Sequence, residues 1–299
     1  MTQRRSEILL VLVTLLWGGT FAIVKDAMPY TTPSAFVAMR FFVATVLTTL
    51  MWPRALQRLD RRLLFEGLVL GLLFGIGFQL QTYGLTITSA SSSAFITGTS
   101  MMFVPVIGWL VSRRHIQKRH GVAIVLVLVG LYGFTKPDVA GVNNGDVATL
   151  LSAVVWAAYI VLIDRYSAPR VNDARALQVL IFMQMVVTTA MACLGIVVFD
   201  NATIQFELPT SVILALLYCS VFATVIATTI QTRYQSFTQP VRAGLIFATE
   251  PIAAALIAVV AFGEVWDVRH LASAALIIAG IVAPDLIALY PSRRRRAAS

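Results

Sequence analysis

Glu250 stands directly before Pro251 in the run TEPIAAALIAVVAF and is the only charged residue in it. A carboxylate so placed is protonated, paired or facing water, because burying it unpaired costs several kcal/mol. Its chemistry is to bind an ammonium group or to carry a coupling proton; the structural alternative is a hydrogen bond made by the neutral acid. Trp17 and Trp156 come next, with Phe21 four residues after the first and Tyr159 three after the second, so that each pair falls on one helix face. Aromatic walls suit a planar or apolar side chain as ligand, and bundle packing is the alternative. Tyr218 is a lesser candidate of the same kind. Uncharged polar groups complete the set. Gly75, Gln79 and Tyr83 are spaced four apart in one run, and Ser93, Thr97, Ser100 and Met101 share a face in the next. Gln79 leads this group, since its amide both donates and accepts and suits a zwitterion. Gln79, Thr97 and Ser100 either touch a polar substrate or are interhelical hydrogen bonds, worth about 0.6 kcal/mol on average in membranes.

The elements that carry these residues are apolar helices. Of 299 residues 58% are apolar and only 12% charged, against about a quarter charged in soluble domains, and mean hydropathy is +0.82. Residues 67–112 contain no Asp, Glu, Lys or Arg, a block long enough for two spans of about 20 residues joined by a tight hairpin. Reading the other windows likewise gives an all-α polytopic membrane protein of ten transmembrane helices, near 6–27, 33–52, 63–83, 93–112, 118–134, 144–166, 175–199, 209–235, 240–262 and 270–290. They leave no room for a soluble domain. The first is expected to be retained, because no small-x-small cleavage site closes the run before Lys25. Cys193 and Cys219 fall inside spans, and His115, His120 and His270 near helix ends without acid or thiol clusters, so no disulfide, metal or other cofactor is expected.

Charge placement sets the topology. With the N-terminus cytoplasmic, 19 of the 23 Lys and Arg residues fall on one side, the other receives Lys25, Lys136 and Arg269, and Arg40 stays inside a span. Over short loops this is the positive-inside pattern, with both termini cytoplasmic. The basic tail from Arg293 to Arg296 then reads as a topology signal and a contact for anionic lipid, with no nucleic-acid partner expected. Arg40 is about 10 Å from the outer end of its helix at 1.5 Å per residue, within snorkelling reach, and is given an anchoring or pairing role. Asp26, Asp146 and Glu264 read as solvated boundary charges. Gly67, Gly71 and Gly75 read as a small-residue face for close helix approach.

The chain also repeats itself. Shifted by 150 residues, Ile96 falls on Ile246, Thr99 on Thr249, Ile107 on Ile257, Arg119-His120 on Arg269-His270, Leu126 on Leu276 and Gly130 on Gly280; a looser offset of 139 puts Trp17 on Trp156. Five spans per copy invert the second copy, and inverted repeats place a binding site near the midplane between them. The expected units are 1–137, 138–291 and a basic cytoplasmic tail, 292–299. The copies differ where Ser100-Met101 faces Glu250-Pro251 and Arg114 faces Glu264, which argues against a symmetric two-carboxylate mechanism.

LLWGGTFAIVK from Leu15, AFVAMRFFVATVL from Ala35, TEPIAAALIAVVAFGE from Thr249 and LIIAG from Leu276, in that order, resemble the EamA-type proteins of the drug/metabolite transporter superfamily. Within it the chain is most similar to bacterial exporters of aromatic and other neutral amino acids, the YddG type. The resemblance implies a ten-helix basket around a central cavity, transport without catalysis, and a place in the cell inner membrane. Substrate contacts are expected from Trp17, Phe21, Gln79, Tyr83, Thr97, Ser100, Met101, Trp156, Tyr159 and Tyr218, with Glu250 as a coupling or ammonium group. The expected activity is facilitated export of small neutral metabolites by alternating access, and the sequence fits a monomer without fixing the oligomeric state. Carriers of sugar phosphates or nucleotide sugars would need cavity Lys or Arg, an intramembrane enzyme would need an acid pair, metal set or Ser/His dyad, and a membrane scaffold is the non-transporting alternative.

Overall fold

The computed structural model describes residues 2–113, 118–136, 142–200, 207–262 and 267–296. Its regular elements are, in chain order, α1 (Gln3–Tyr30), α2 (Pro33–Met51), α3 (Arg61–Ile87), α4 (Ala90–Val111), α5 (His120–Thr135), α6 (Asn144–Arg170), α7 (Ala174–Val198), α8 (Thr210–Phe237), α9 (Pro240–Ile257) and α10 (Val268–Pro284). Among the described residues eight are long and apolar enough to cross a membrane, while α5 and α10 are shorter apolar helices. Arg114, His115 and Glu264, and the boundary at 137/138, lie outside the described residues.

The polarity of the bundle is that of a protein in lipid. Phe65, Leu110, Val125 and Leu214 point outward, while Ser152, Gln184, Thr188, Thr228 and Gln235 are buried. Small residues set the helix spacing. A Cβ on Gly67 or Gly71 would come within 2.6 Å of Met183 or Val187, and the next step on this ridge, Gly75, faces Met191, so α3 packs its glycine face on α7. The opposite face of α3 meets α6, with Gly77 against Trp156 and Gly84 against Thr149. Between α5 and α10 the contacts are reciprocal: Gly130 abuts Ile277 and Ser273, and Gly280 abuts Val127 and Ala123.

Helix starts are fixed by side chains. Asp60 and Asp173 cap α3 and α7 by accepting from the N–H groups of Leu63 and Ala176. Those N–H bonds, with Arg58 adding to them, hold both carboxyls below the usual carboxylate range, so the caps are charged at neutral pH and release only as pH falls through the lowered values. At α6, Asn143 and Asp146 form a reciprocal capping box. Asp146 is therefore not the solvated boundary charge the sequence suggests; it also accepts from Thr88 Oγ1 at 2.6 Å. Replacing Asn143 with Ala is expected to cost about 1 kcal/mol, read as a fall of about 2–4 °C in the melting temperature of the purified protein.

Three helices are interrupted in mid-course. α1 breaks at Gly19, α4 at Thr99 and α9 at Ala248-Thr249. At each break a threonine hydroxyl turns back to a carbonyl three residues earlier: Thr20 to Trp17, Thr99 to Ile96 and Thr249 to Ile246. The last two pairs are the same Ile and Thr that coincide when the sequence is shifted onto itself. In α8 the helix widens to a π-turn over Val221–Ile226.

Candidate functional site

The three breaks border one central cavity of about 70 Å³. Its wall takes Trp17 and Thr20 from α1, Arg40 from α2, Phe78 and Gln81 from α3, and Thr97 and Ser100 from either side of the α4 break. Trp156 and Tyr159 come from α6, Gln231 from α8, and Phe247, Glu250 and Pro251 from either side of the α9 break.

The aromatic wall is bonded as well as packed. Trp17 lies 5.2 Å from Phe247 between ring centres and donates its indole N–H to the Ala223 carbonyl in the π-turn at 2.9 Å. Trp156 meets Phe78 edge-on at 4.9 Å, Phe74 at 5.6 Å and Tyr159 at 5.9 Å. Its own indole N–H is buried with no acceptor among the described residues. Tyr159 sends its hydroxyl away to Gln184 at 2.6 Å and so presents its ring to the cavity. The uncharged polar part is Gln81, which donates to Thr97 Oγ1 at 3.1 Å across α3 and α4. Glu250 opens the second segment of α9, where a carboxylate complements the helix N-terminus. Pro251 is the second residue of that segment, so its missing N–H is one that would be unpaired in any case; it starts a helix and frees no mid-helix carbonyl.

Of the residues singled out in the sequence, the structure brings Trp17, Thr97, Ser100, Trp156, Tyr159 and Glu250 to this cavity and places the others elsewhere. Phe21 follows the Gly19 break, which removes it from the face of Trp17; it packs with Val212, Leu216 and Cys219. Gln79 continues the ridge of Gly67, Gly71 and Gly75 and therefore points at Gly195 of α7. Tyr83 is 46% exposed on the outside of the bundle. Met101 is fully buried among Val127, Leu131 and Leu245. Tyr218 donates to the Leu16 carbonyl at 2.8 Å and stacks on Phe222. Thr20, Arg40, Phe78, Gln81, Gln231 and Phe247 join the wall without having been assigned to it. The signal for Gln81 and Phe78 lay in the glycine ridge: once its face is given to α7, the residues beside Gln79 turn inward. Arg40 is 4% exposed and turned inward, so it does not snorkel.

A larger cavity of about 650 Å³ lies at the arginine-rich end of the bundle, lined by Gln3, Pro105, Gly108, His120, Asp164 and Thr238 among others. At the opposite end Lys25 donates to the carbonyls of Leu85, in the last turn of α3, and of Thr88, its C-cap, at 2.6 and 2.8 Å. Among the described residues no group of three or more His, Cys, Asp or Glu is placed to hold a metal ion.

Comparison with known proteins agrees with this architecture. Residues 4–136 and 143–283 match the model of the EamA-like transporter family. The chain is 32% identical over 281 residues to an uncharacterized transporter of Archaeoglobus fulgidus, covering 94% of this chain and 86% of that one. It is 25% identical over 169 residues to the uncharacterized transporter YyaM of Bacillus subtilis, covering 53% and 55%. A solved structure described only as the crystal structure of a protein shares the fold, with a TM-score of 0.74 at 18% identity over 99% of both chains. The family model and the two named relatives are transporters rather than enzymes. With the family model spanning most of its length, this multi-pass membrane protein belongs to the EamA-like transporter family.

Proposed function

We propose that this transporter exports small neutral metabolites, above all amino acids with large apolar or aromatic side chains, by alternating access around the central cavity. The observation that carries the reading is the cavity wall itself. Rings of Trp17, Phe78, Trp156 and Phe247 face uncharged polar groups and one carboxylate at the breaks of three helices, and interrupted helices are where transporters bind their cargo. Phosphorylated cargo fits poorly, since among the described residues Arg40 is the one basic side chain on the wall.

The architecture we propose has ten crossings in two inverted five-helix repeats, both termini in the cytoplasm and a place in the cytoplasmic membrane. The reciprocal α5–α10 contacts and the identical Thr-to-Ile bonds at the α4 and α9 breaks support the repeat, as do the two family-matched stretches. At about 70 Å³ the cavity holds a few waters, taking ~10–15 Å³ each, so a large amino acid enters only as the walls part.

Proteoliposomes carrying the purified protein are expected to move phenylalanine, tryptophan or leucine down a gradient well above empty vesicles; no movement of any of a panel of amino acids ends the substrate assignment. A second reading, proton-coupled antiport through Glu250, is favoured by the position of that acid on the cavity wall. Facilitated export predicts that flux is unchanged by a pH gradient in the parent and in Glu250→Gln. A strong gradient dependence lost in that variant establishes antiport instead.

A further inference from the structure

We propose that Arg40 takes the carboxylate of the substrate while Glu250, on the same wall, takes its ammonium group, which makes the site selective for zwitterions. This rests on the reading of the central cavity as the transport site and extends it to the two charged ends of the cargo.

Arg40 is a buried guanidinium in a membrane bundle, an arrangement that is costly and therefore held for a purpose. What holds it is neutral. Its Nε donates to Thr224 Oγ1 at 2.8 Å, one Nη donates to the Ala223 carbonyl at 3.5 Å, and its Cζ lies 4.4 Å from the ring centre of Phe78. Ala223 and Thr224 belong to the π-turn Val221–Ile226, where the wider winding displaces carbonyls from the regular helical ladder. The displaced Ala223 carbonyl serves Trp17 and Arg40 together, so one turn of α8 positions an aromatic wall and the cation beside it.

These partners fix the guanidinium without neutralising it. Arginine carries five N–H donors; the other Nη has no hydrogen-bond acceptor among the described residues, and no carboxylate is ion-paired with Arg40 there. Glu250 lines the same cavity without an ion pair to Arg40. A guanidinium and a carboxyl group around one narrow space match a ligand that carries one charge of each sign. With Glu250 ionised, Arg40 and Glu250 cancel, and a zwitterion keeps the loaded site neutral. A lone carboxylate or a lone amine then leaves one of the two wall groups without a partner, which is unfavourable.

The test compares phenylalanine, phenylalaninamide, 3-phenylpropionate and phenethylamine by binding and by flux, with the full chain in lipid. In the parent, phenylalanine is expected to bind about 10- to 100-fold more tightly than its amide, the scale of lost charge-assisted hydrogen bonds. Arg40→Gln is expected to level phenylalanine with its amide and to leave phenethylamine unchanged. Equal affinity of phenylalanine and phenylalaninamide in the parent overturns the assignment of Arg40, and this arm needs no variant to fold. Equal affinity of phenylalanine and 3-phenylpropionate overturns the part given to Glu250 alone. If phenylalanine is transported but indifferent to its carboxylate, only this proposal fails; if no amino acid is bound or moved, the transport assignment fails with it.

Discussion

Gly18→Ala is expected to destabilise the protein by about 3 kcal/mol or more, at or beyond the upper end of the usual overpacking cost, and to stop transport. A Cβ at Gly18 would sit 2.7 Å from the backbone nitrogen of Ala254 and 2.9 Å from the carbonyl carbon and Cβ of Ala253. Atoms of a backbone do not rotate aside, so α1 must move off α9. The displacement falls where it does most harm, because Trp17 precedes Gly18 and Glu250 and Pro251 lie just before the contact on α9. The neighbouring glycine is the control. A Cβ on Gly19 meets only Ile23 Cδ1 at 3.5 Å and Ile257 Cδ1 at 3.9 Å, with φ at −78°, so alanine fits there. Thermal unfolding of the two purified variants decides the matter. Gly18→Ala should melt several degrees lower, by the scale of about 2–4 °C per kcal/mol for large chains, with Gly19→Ala near the parent. Similar melting of the two would show that close approach of α1 and α9 is not why Gly18 is glycine.

The helices and much of the cavity were legible because both depend on patterns that sequence displays. Long apolar runs give spans, and the matched Thr99 and Thr249 mark breaks that the two helices share. Phase was harder to read. The spacing of Gly75, Gln79 and Tyr83 is that of one helix face, but the same spacing extends back through Gly71 and Gly67, and glycines on a face call for a neighbouring helix rather than a ligand. Gln79 therefore belongs to the α3–α7 contact, and Gln81 serves the cavity. Phe21 was lost to the Gly19 break, since a four-residue spacing keeps two side chains on one face only while the helix continues. The pairing expected of Arg40 is there, but the outward direction was misjudged for a different reason. Its distance from the helix end allows snorkelling, and what turns it inward is the π-turn of α8, written in VFATVI, apolar but for Thr224, with no local signature of a change in winding.

Lys25→Met is expected to open the end of the bundle opposite the arginines, on the reading that the cavity is exposed to each side in turn. Lys25 is partly buried and donates to two carbonyls at the C-terminal end of α3, where a cation also complements the helix dipole. Thr88, which supplies one carbonyl, gives its hydroxyl to Asp146, and Asp146 caps α6. One chain of bonds thus ties α1, α3 and α6, helices that all contribute to the cavity wall. Methionine keeps the length of the side chain and removes the donors. Bonds to charged groups are worth about 1.5–3 kcal/mol each, so their loss should shift the balance between closed and open forms at this end by at least about tenfold. The readout is Ser100→Cys on the cavity wall, with Cys193 and Cys219 replaced by Ser, challenged from this side with a membrane-impermeant maleimide. Labelling should be about tenfold faster with Lys25→Met and remain slow with Lys25→Arg, which keeps a cation and its donors in reach of the same carbonyls. Unchanged labelling would place the closure in the packing of α1 against α9 instead, the contact that Gly18 makes possible.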